Sequence, residues 1–363
     1  MKISVLLPDL RGGGAERVSL DLAQAFGAAG HEIEFVLMSA DGELLPEACQ
    51  HFSIVDLRAR NIRHIPIRLW RYLRENRTDV LIANMWPLTS AAVISKRLAR
   101  SSCRLLLVDH NAVSKQYESW GRLQNVLLRN SMCATYRLAE YVAGVSEGVA
   151  ADVELLAGFS PGRVAVLHNP IPLREFPRED ARSGAEVLWD CPKGQRILTV
   201  GSLKDQKNHR LLLRAFSQAS QSNSTLMLLG KGVNENMLRA LAQELDIAAR
   251  VIFAGFHADP SPFYATADLF VLSSDYEGFG NVIVEALSFG LPVVSTNCPS
   301  GPAEILENGR WGRLTPVGDA AALARAMDEA LSTPVDREAL KRRAADFSPE
   351  IAARKYLDLL GLS

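Results

Sequence analysis

No apolar run in the 363-residue sequence approaches the ~20 residues that cross a bilayer. The chain is therefore expected to be soluble, or held to a membrane only at its surface. Cysteine is scarce. Cys49, Cys103, Cys133, Cys191 and Cys298 are odd in number, far apart and never in a C-x-x-C pair. That leaves no disulfide framework and no cysteine metal site, and it suits a reducing compartment. The opening Met1-Lys2-Ile3-Ser4-Val5-Leu6-Leu7-Pro8 is short for a secretory leader and reads better as a first buried strand. Neither sign of charge dominates: 40 Lys and Arg stand against 41 Asp and Glu, so no global field points to nucleic acid. Several motifs are missing as well. Gly12-Gly13-Gly14 lacks the G-x-G-x-x-G spacing, and the second apolar run ends at Met38 rather than at an acid, which disfavours a nicotinamide dehydrogenase. There is no G-x-x-x-x-G-K-[ST], hence no P-loop kinase. No D-x-D, H-E-x-x-H or His/Cys cluster supplies a metal site.

What is present is length for two domains and an alternation of short apolar strands with helices. Strands are expected at 2–7, 31–38, 54–57, 80–83, 105–108, 142–145 and 164–167. The glycine loop at Gly12 to Gly14 opens a helix carrying Val18, Leu22 and Phe26 at i, i+4, i+8. Prolines 170, 172, 177 and 192 then punctuate a polar stretch, and 170–195 is read as the linker and the start of the second domain. The alternation restarts with strands at 196–200, 226–229, 251–254, 269–272 and 292–295, and helices at 208–220, 235–245, 320–331 and 351–360. The fold class is α/β, two doubly wound Rossmann-like domains facing a cleft. The first spans 1–170 with the last helix, 348–363, packing back on it, and the second spans 171–347. Ligands of such sheets bind at the carboxyl ends of the strands, where the glycine loop and His110 both fall.

The rest of the chain is organised around 275–292, D-Y-E-G-F-G-N-V-I-V-E-A-L-S-F-G-L-P. A strand, a glycine-broken turn and a helix over 281–289 aim backbone N–H groups and a positive dipole end at an anion. Glu277 lies in the turn. Glu285 lies on the helix among Val282, Ile283, Val284, Ala286, Leu287 and Phe289, so it reads as a buried carboxylate that needs donors. A ribose 2′,3′-diol offers two; a core Glu satisfied by backbone or an Arg is the other reading. In Gly201-Ser202-Leu203-Lys204-Asp205-Gln206-Lys207-Asn208, Lys207 stands before a helix that Asn208 caps. Ammonium and helix end could act together on a diphosphate; a lone lysine in a polar loop is more often merely solvated.

Taken in order, these motifs resemble the retaining family 4 glycosyltransferases of the GT-B fold, over essentially the whole chain. Glu277-x7-Glu285 is similar to the family's E-x7-E element, 201–208 to its G-R-L-x-x-Q-K-x loop, the segment from Gly12 to Val18 to its N-terminal glycine loop, and Asp109-His110 to its first-domain histidine. The run from Asn297 to Leu306 resembles a subgroup that builds bacterial surface polysaccharides on lipid carriers. The resemblance implies catalytic roles for Glu277, Lys207 and His110, with Glu277 on the donor sugar's hydroxyls and His110 placing the transferred sugar. It implies donor contacts from Glu285 to the ribose, Lys207 to the diphosphate, the segment Phe279, Gly280, Asn281 and Val282 to phosphates or sugar, and Gly13 and Gly14 to the phosphates. The family's arginine beside the lysine is Ser202 here, and Lys204 lies close enough in sequence to replace it. No metal and no other cofactor is implied; the lysine and the helix end do a metal's electrostatic work. The donor implied is a UDP-hexose or UDP-N-acetylhexosamine, and the acceptor a glycan hydroxyl on a polyprenyl diphosphate. A nucleotide-sugar epimerase of the same fold would consume donor without acceptor, and a non-catalytic binding protein would never turn over.

Residues 58–77 hold Arg58, Arg60, Arg63, Arg68, Arg71, Arg74 and Arg77 against one acid, Glu75, with Ile62, Ile65, Ile67, Leu69, Trp70 and Leu73 interleaved. Pro66 restricts the expected helix to 67–76. An anionic membrane surface suits such a segment, which with the subgroup resemblance places the protein in the cytoplasm, peripheral on the inner membrane's cytoplasmic face. The other reading is a solvated basic face whose apolar residues enter the core.

Overall fold

The computed structural model describes residues 1–174, 176–189, 196–220 and 223–362. It divides into two compact units, Met1–Pro172 with Ser348–Ser363, and Leu173–Phe347.

In the first unit the chain runs β1 (Lys2–Leu7), α1 (Gly14–Ala28), β2 (Glu32–Leu37), α2 (Leu45–His51), β3 (Ser53–Asp56), α3 (Ile65–Glu75), β4 (Val80–Asn84) and α4 (Leu88–Ala99). It continues through β5 (Arg104–Asp109), α5 (Val113–Gln116), α6 (Arg122–Thr135), β6 (Tyr141–Gly144), α7 (Glu147–Ala157) and β7 (Ala165–Val166). The strands form one sheet, in the order β3-β2-β1-β4-β5-β6-β7, and every pair is parallel. Helices cover the faces of such a sheet, so its central strands read as unbroken apolar runs. All five residues of β4 are buried.

The second unit begins with α8 (Glu179–Trp189), β8 (Arg196–Val200), α9 (His209–Gln218), β9 (Thr225–Leu229), α10 (Glu235–Glu244), β10 (Val251–Gly255) and α11 (Ser261–Thr266). It goes on through β11 (Leu269–Leu272), α12 (Asn281–Ser288), β12 (Val293–Thr296), α13 (Pro302–Ile305), β13 (Arg313–Thr315), α14 (Ala320–Ser332) and α15 (Arg337–Ala345). Its sheet is also parallel, in the order β10-β9-β8-β11-β12-β13. A final helix, α16 (Pro349–Leu360), belongs to the first unit: Tyr356 meets Phe26 of α1 edge-on at 6.0 Å, and Arg104 donates to the carbonyl of Leu360.

The second unit does begin within 170–195, and it begins with a helix that the sequence reading did not place: α8 lies there, with Trp189 fully buried and its Nε1 donating to Thr266 Oγ1 at 2.9 Å. Prolines 170, 172 and 177 precede that helix rather than interrupt it, while residues 190–195, with Pro192, lie outside the described residues. One expectation needs correction: Pro66 does not restrict α3 to 67–76. The helix starts at Ile65, and Pro66 occupies its first turn, where a missing N–H costs nothing.

Candidate active site

Strand order decides which loops meet. In the second sheet the order reverses between β8 and β11, and a crevice opens at the carboxyl ends of strands that flank such a reversal. The loop after β8 carries Ser202, Lys204 and Lys207; the loop after β11 carries Glu277. Lys207 Nζ donates to Glu277 Oε1 at 2.6 Å, and Ser274 Oγ donates to the same oxygen at 2.6 Å. Both charged side chains are largely out of solvent, at 15% and 7% exposure.

The two loops are joined by their backbones as well. Ser273 Oγ donates to the Lys207 carbonyl (2.9 Å), Gln206 Nε2 to the Tyr276 carbonyl (2.9 Å), and the Asp275 N–H to the Gln206 carbonyl (2.9 Å). Asn208 caps α9 as expected, with its Oδ1 accepting from the Leu211 N–H, while its Nδ2 donates to Asp275 Oδ1 at 2.7 Å. Gly201 lies against the Lys207 side chain, where a Cβ would stand 3.5 Å from it, an ordinary contact. Burial first, and then the Lys207 charge, pull the Lys204 ammonium below its ordinary pKa, while Glu277 opposes them. Lys204 thus lies within electrostatic reach of the pair, though it is exposed, as is Ser202.

The turn into α12 is shaped by Gly280, whose φ of +100° is a left-handed geometry that suits glycine. As N-cap it contributes no side chain to the first turn of α12. The loop behind it presses close: a Cβ on Gly301 would lie 1.7 Å from the Phe279 carbonyl oxygen. The Phe279 ring is buried against Phe347 at 5.4 Å, so any donor contact from this residue falls to its backbone.

The surroundings of Glu285 correct its reading as a fully buried carboxylate. Asn281, Val282, Glu285 and Ser288 form a half-buried stripe, opposite to the buried Ile283, Val284, Ala286 and Leu287. Glu285 is accordingly only partly enclosed. Its Oε2 accepts from Tyr264 Oη at 3.0 Å, and Tyr264 is fully buried on α11, its ring stacked on Phe289 at 5.7 Å. Burial raises the Glu285 pKa, against the pull of Arg174 and the Tyr264 hydrogen bond. Tyr264 and Arg174 escaped the sequence reading; neither stands in a motif, and Tyr264 reaches Glu285 only because α11 packs beside α12.

The first unit holds the other candidates at the carboxyl edge of its own sheet. Gly12 has a φ of +84°, whereas Gly13 lies at −71°, where a Cβ would meet only the movable Glu16 carboxylate. Gly13 is the N-cap of α1 and Gly14 its first residue, both exposed. His110 follows β5. Asn84 Nδ2 donates to the Leu6 carbonyl, so Asn84 Oδ1 faces His110 Nε2, at 2.9 Å. The imidazole therefore carries its hydrogen on Nε2 and leaves Nδ1 as an acceptor. Nδ1 is buried without a partner among the described residues, and burial lowers the His110 pKa to about 4, so the ring is neutral at pH 7. A neutral ring with one open acceptor suits a hydroxyl donor. Asp109, beside it, is sealed: it accepts from Tyr136 Oη (2.8 Å) and the Trp86 N–H (3.3 Å), and burial lifts its pKa to about 7.

Among the described residues no group of three or more His, Cys, Asp or Glu side chains could hold a metal ion, and no helix is long and apolar enough to cross a membrane.

The family described as Glycosyl transferases group 1 matches residues 192–347, and that described as Glycosyltransferase Family 4 matches residues 12–175. A Campylobacter jejuni N-acetylgalactosamine-N,N'-diacetylbacillosaminyl-diphospho-undecaprenol 4-alpha-N-acetylgalactosaminyltransferase is 27% identical, over 94% of this chain and 93% of its own. The lipopolysaccharide core biosynthesis glycosyltransferase LpsE of Rhizobium meliloti is also 27% identical, over 96% of each. The crystal structure of Anabaena Alr3699/HepE in complex with UDP superposes with a TM-score of 0.84 at 23% identity, covering 99% of this chain and 100% of that one. The two parallel sheets, the ordered motifs and matches running through both units agree: the chain belongs to the family 4 glycosyltransferases and is a glycosyltransferase of the GT-B fold.

Proposed function

We propose that the protein transfers a hexose or N-acetylhexosamine from a UDP-sugar to a hydroxyl of a lipid-linked glycan, with retention at the anomeric carbon and without a metal, in bacterial polysaccharide assembly. The observation that carries this reading is the Lys207–Glu277 pair at the sheet's switch point, beside the start of α12. Lys207 and the α12 N-terminus stabilise the leaving diphosphate, the work a metal would otherwise do. Glu285, its carboxylate partly open and held on one oxygen by Tyr264, takes the ribose hydroxyls on the other. Glu277 turns between Lys207 and the donor sugar's hydroxyls. His110 Nδ1 accepts from a hydroxyl of the transferred sugar, with Gly13 and Gly14 near the phosphates as in the family pattern. The leaving phosphate helps deprotonate the acceptor on the same face. In support, Asp109 is closed off by Tyr136 and Glu277 is engaged by Lys207, so neither stands free as a nucleophile.

The UDP leaning draws on the HepE complex, and the lipid-diphosphate acceptor on the diphospho-undecaprenol acceptor of the Campylobacter relative. An acceptor of that kind puts the protein on the cytoplasmic face of the inner membrane. Arg58, Arg60, Arg63, Arg68, Arg71, Arg74 and Arg77 are exposed and offer charge for that surface, but Ile65, Leu69 and Leu73 of α3 face the core.

The test is a thermal-shift panel of UDP, GDP, ADP and NAD on wild type and Glu285→Ala. UDP at 100 times its dissociation constant is expected to add about 2.7 kcal/mol to wild type and little to a folded Glu285→Ala. A shift with NAD alone, or with none, would overturn the assignment. Tyr264→Phe keeps the ring stack and removes the hydroxyl. It is expected to weaken UDP about tenfold, the lower range for a hydrogen bond to a charged group. Affinity for 2′,3′-dideoxy-UDP, which has no diol to orient, should stay unchanged.

A further inference from the structure

The α6 helix departs from the rule that an apolar stripe faces the core. Leu128, Met132 and Thr135 are its buried face; Ser90 Oγ meets Thr135 Oγ1 at 2.9 Å, and Trp86 Nε1 donates to Ser131 Oγ at 3.0 Å. The first half carries a second apolar stripe on the opposite side, at i, i+3, i+4: Leu123, Val126 and Leu127, exposed by 73%, 53% and 59%. Trp120, itself 36% exposed, stands at the entry of the helix, packed on Tyr117 and Trp86. Arg122 and Arg129 flank the stripe, one helical heptad apart, and α6 contains no acidic residue.

The charge around it is one-sided. From Arg58 to Leu138, the stretch that builds α3, α4 and α6, fifteen Lys and Arg stand against four Asp and Glu, a surplus of +11 in a chain of net charge −1. One of the four, Asp109, is buried, and two others are held by basic neighbours: Glu75 by Arg71 and Glu118 by Lys115. The three helices lie side by side, with Ser95 Oγ of α4 donating to the Pro66 carbonyl of α3.

Resting on the membrane-facing reading of the proposed function, we infer that the first half of α6 is the apolar anchor on an anionic bilayer, Leu123, Val126 and Leu127 entering the acyl boundary while Arg122, Arg129 and the arginines of α3 meet lipid phosphates. Trp120 at the entry fits the headgroup level, where indoles collect. A lipid surface fits better than a protein partner on two counts. An exposed stripe of three aliphatic side chains falls well short of the ~800 Å² per partner of a stable protein interface. A basic surround with no acid on the helix complements lipid phosphates and repels a second copy of itself. Position adds a reason: α6 follows β5, so its first turns lie toward the carboxyl edge of the sheet, the edge of His110. A bilayer seated there delivers a lipid-linked hydroxyl on the side where the histidine waits.

The experiment is flotation of the full chain with vesicles of phosphatidylglycerol and phosphatidylethanolamine, and with phosphatidylcholine alone. Wild type should float with the anionic vesicles only, and Leu123→Gln/Leu127→Gln should lose roughly tenfold or more in partitioning. Both positions are exposed, so the variant should fold and keep the wild-type UDP shift. Equal flotation of wild type and variant would refute the α6 anchor and leave the membrane reading standing. Failure of wild type to bind any vesicle would sink the membrane reading itself. A concentration-dependent dimer abolished by the same substitutions would identify a second copy as the occupant and overturn the proposal.

Discussion

Lys207→Ala is expected to lower kcat about 10²–10³-fold, the cost of losing one preorganised charge at a developing anion. It should also cost about 3 kcal/mol of stability, because it strands the Glu277 carboxylate, 5% exposed, with Ser274 as its remaining side-chain donor. The two effects can be separated. In Lys207→Ala/Glu277→Gln the stranded charge is gone, so the denaturation midpoint should recover while turnover should not. If turnover survived in the single variant and only stability fell, Lys207 would be a structural cation and the mechanism would have to be drawn without it. The comparison also asks whether Glu277 holds the lysine in readiness for the diphosphate. If it does, Glu277→Gln alone should weaken UDP binding as well as turnover.

The second large effect lies away from the charges. Gly301→Ala puts a Cβ 1.7 Å from the Phe279 carbonyl oxygen and 2.3 Å from its carbon, at a φ of +93°. Backbone meets backbone, so the loop before α13 or the turn into α12 must move. Left-handed strain of about 1–2 kcal/mol adds to about 1–3 kcal/mol of overpacking. Gly309→Ala is the control: its φ is +103°, but its Cβ would meet nothing within 4 Å, so strain alone remains. The expected result is that Gly301→Ala loses stability well beyond Gly309→Ala and loses the UDP-induced shift with it, since the displaced turn carries the start of α12. Equal losses in the two variants would mean that the Phe279 turn yields at no cost.

How much of this was legible beforehand follows from what each signal measures. Alternating apolar runs located the strands, and the glycine turn located α12, because both are local. Fold class and family were readable for that reason. Strand order is not local, and it is strand order that puts the loops after β8 and β11 next to each other and Lys207 on Glu277. Glu285 was misjudged because residue types were counted around the helix without knowing which side met the sheet; Asn281, Val282 and Ser288 share its open side. At α6, which the sequence reading left without an element, Leu123, Val126 and Leu127 have the spacing of a core face and yet point into solvent. Asn84, which sets the tautomer of His110, is a polar residue ending a buried strand. Its role depends on a partner 26 positions away.

The return of α16 to the first unit bears on how the chain is made. Synthesis runs from the amino end, so residues 1–172 emerge first, yet the groove around Phe26 on α1 stays uncovered until Tyr356 has been translated. The second unit is contiguous in sequence and can close as soon as its last strand and helices are out. The earlier-made unit is therefore the later to finish. Truncations before α16 should yield a first unit with an open apolar face, retained by chaperones, beside a second unit that folds and binds nucleotide.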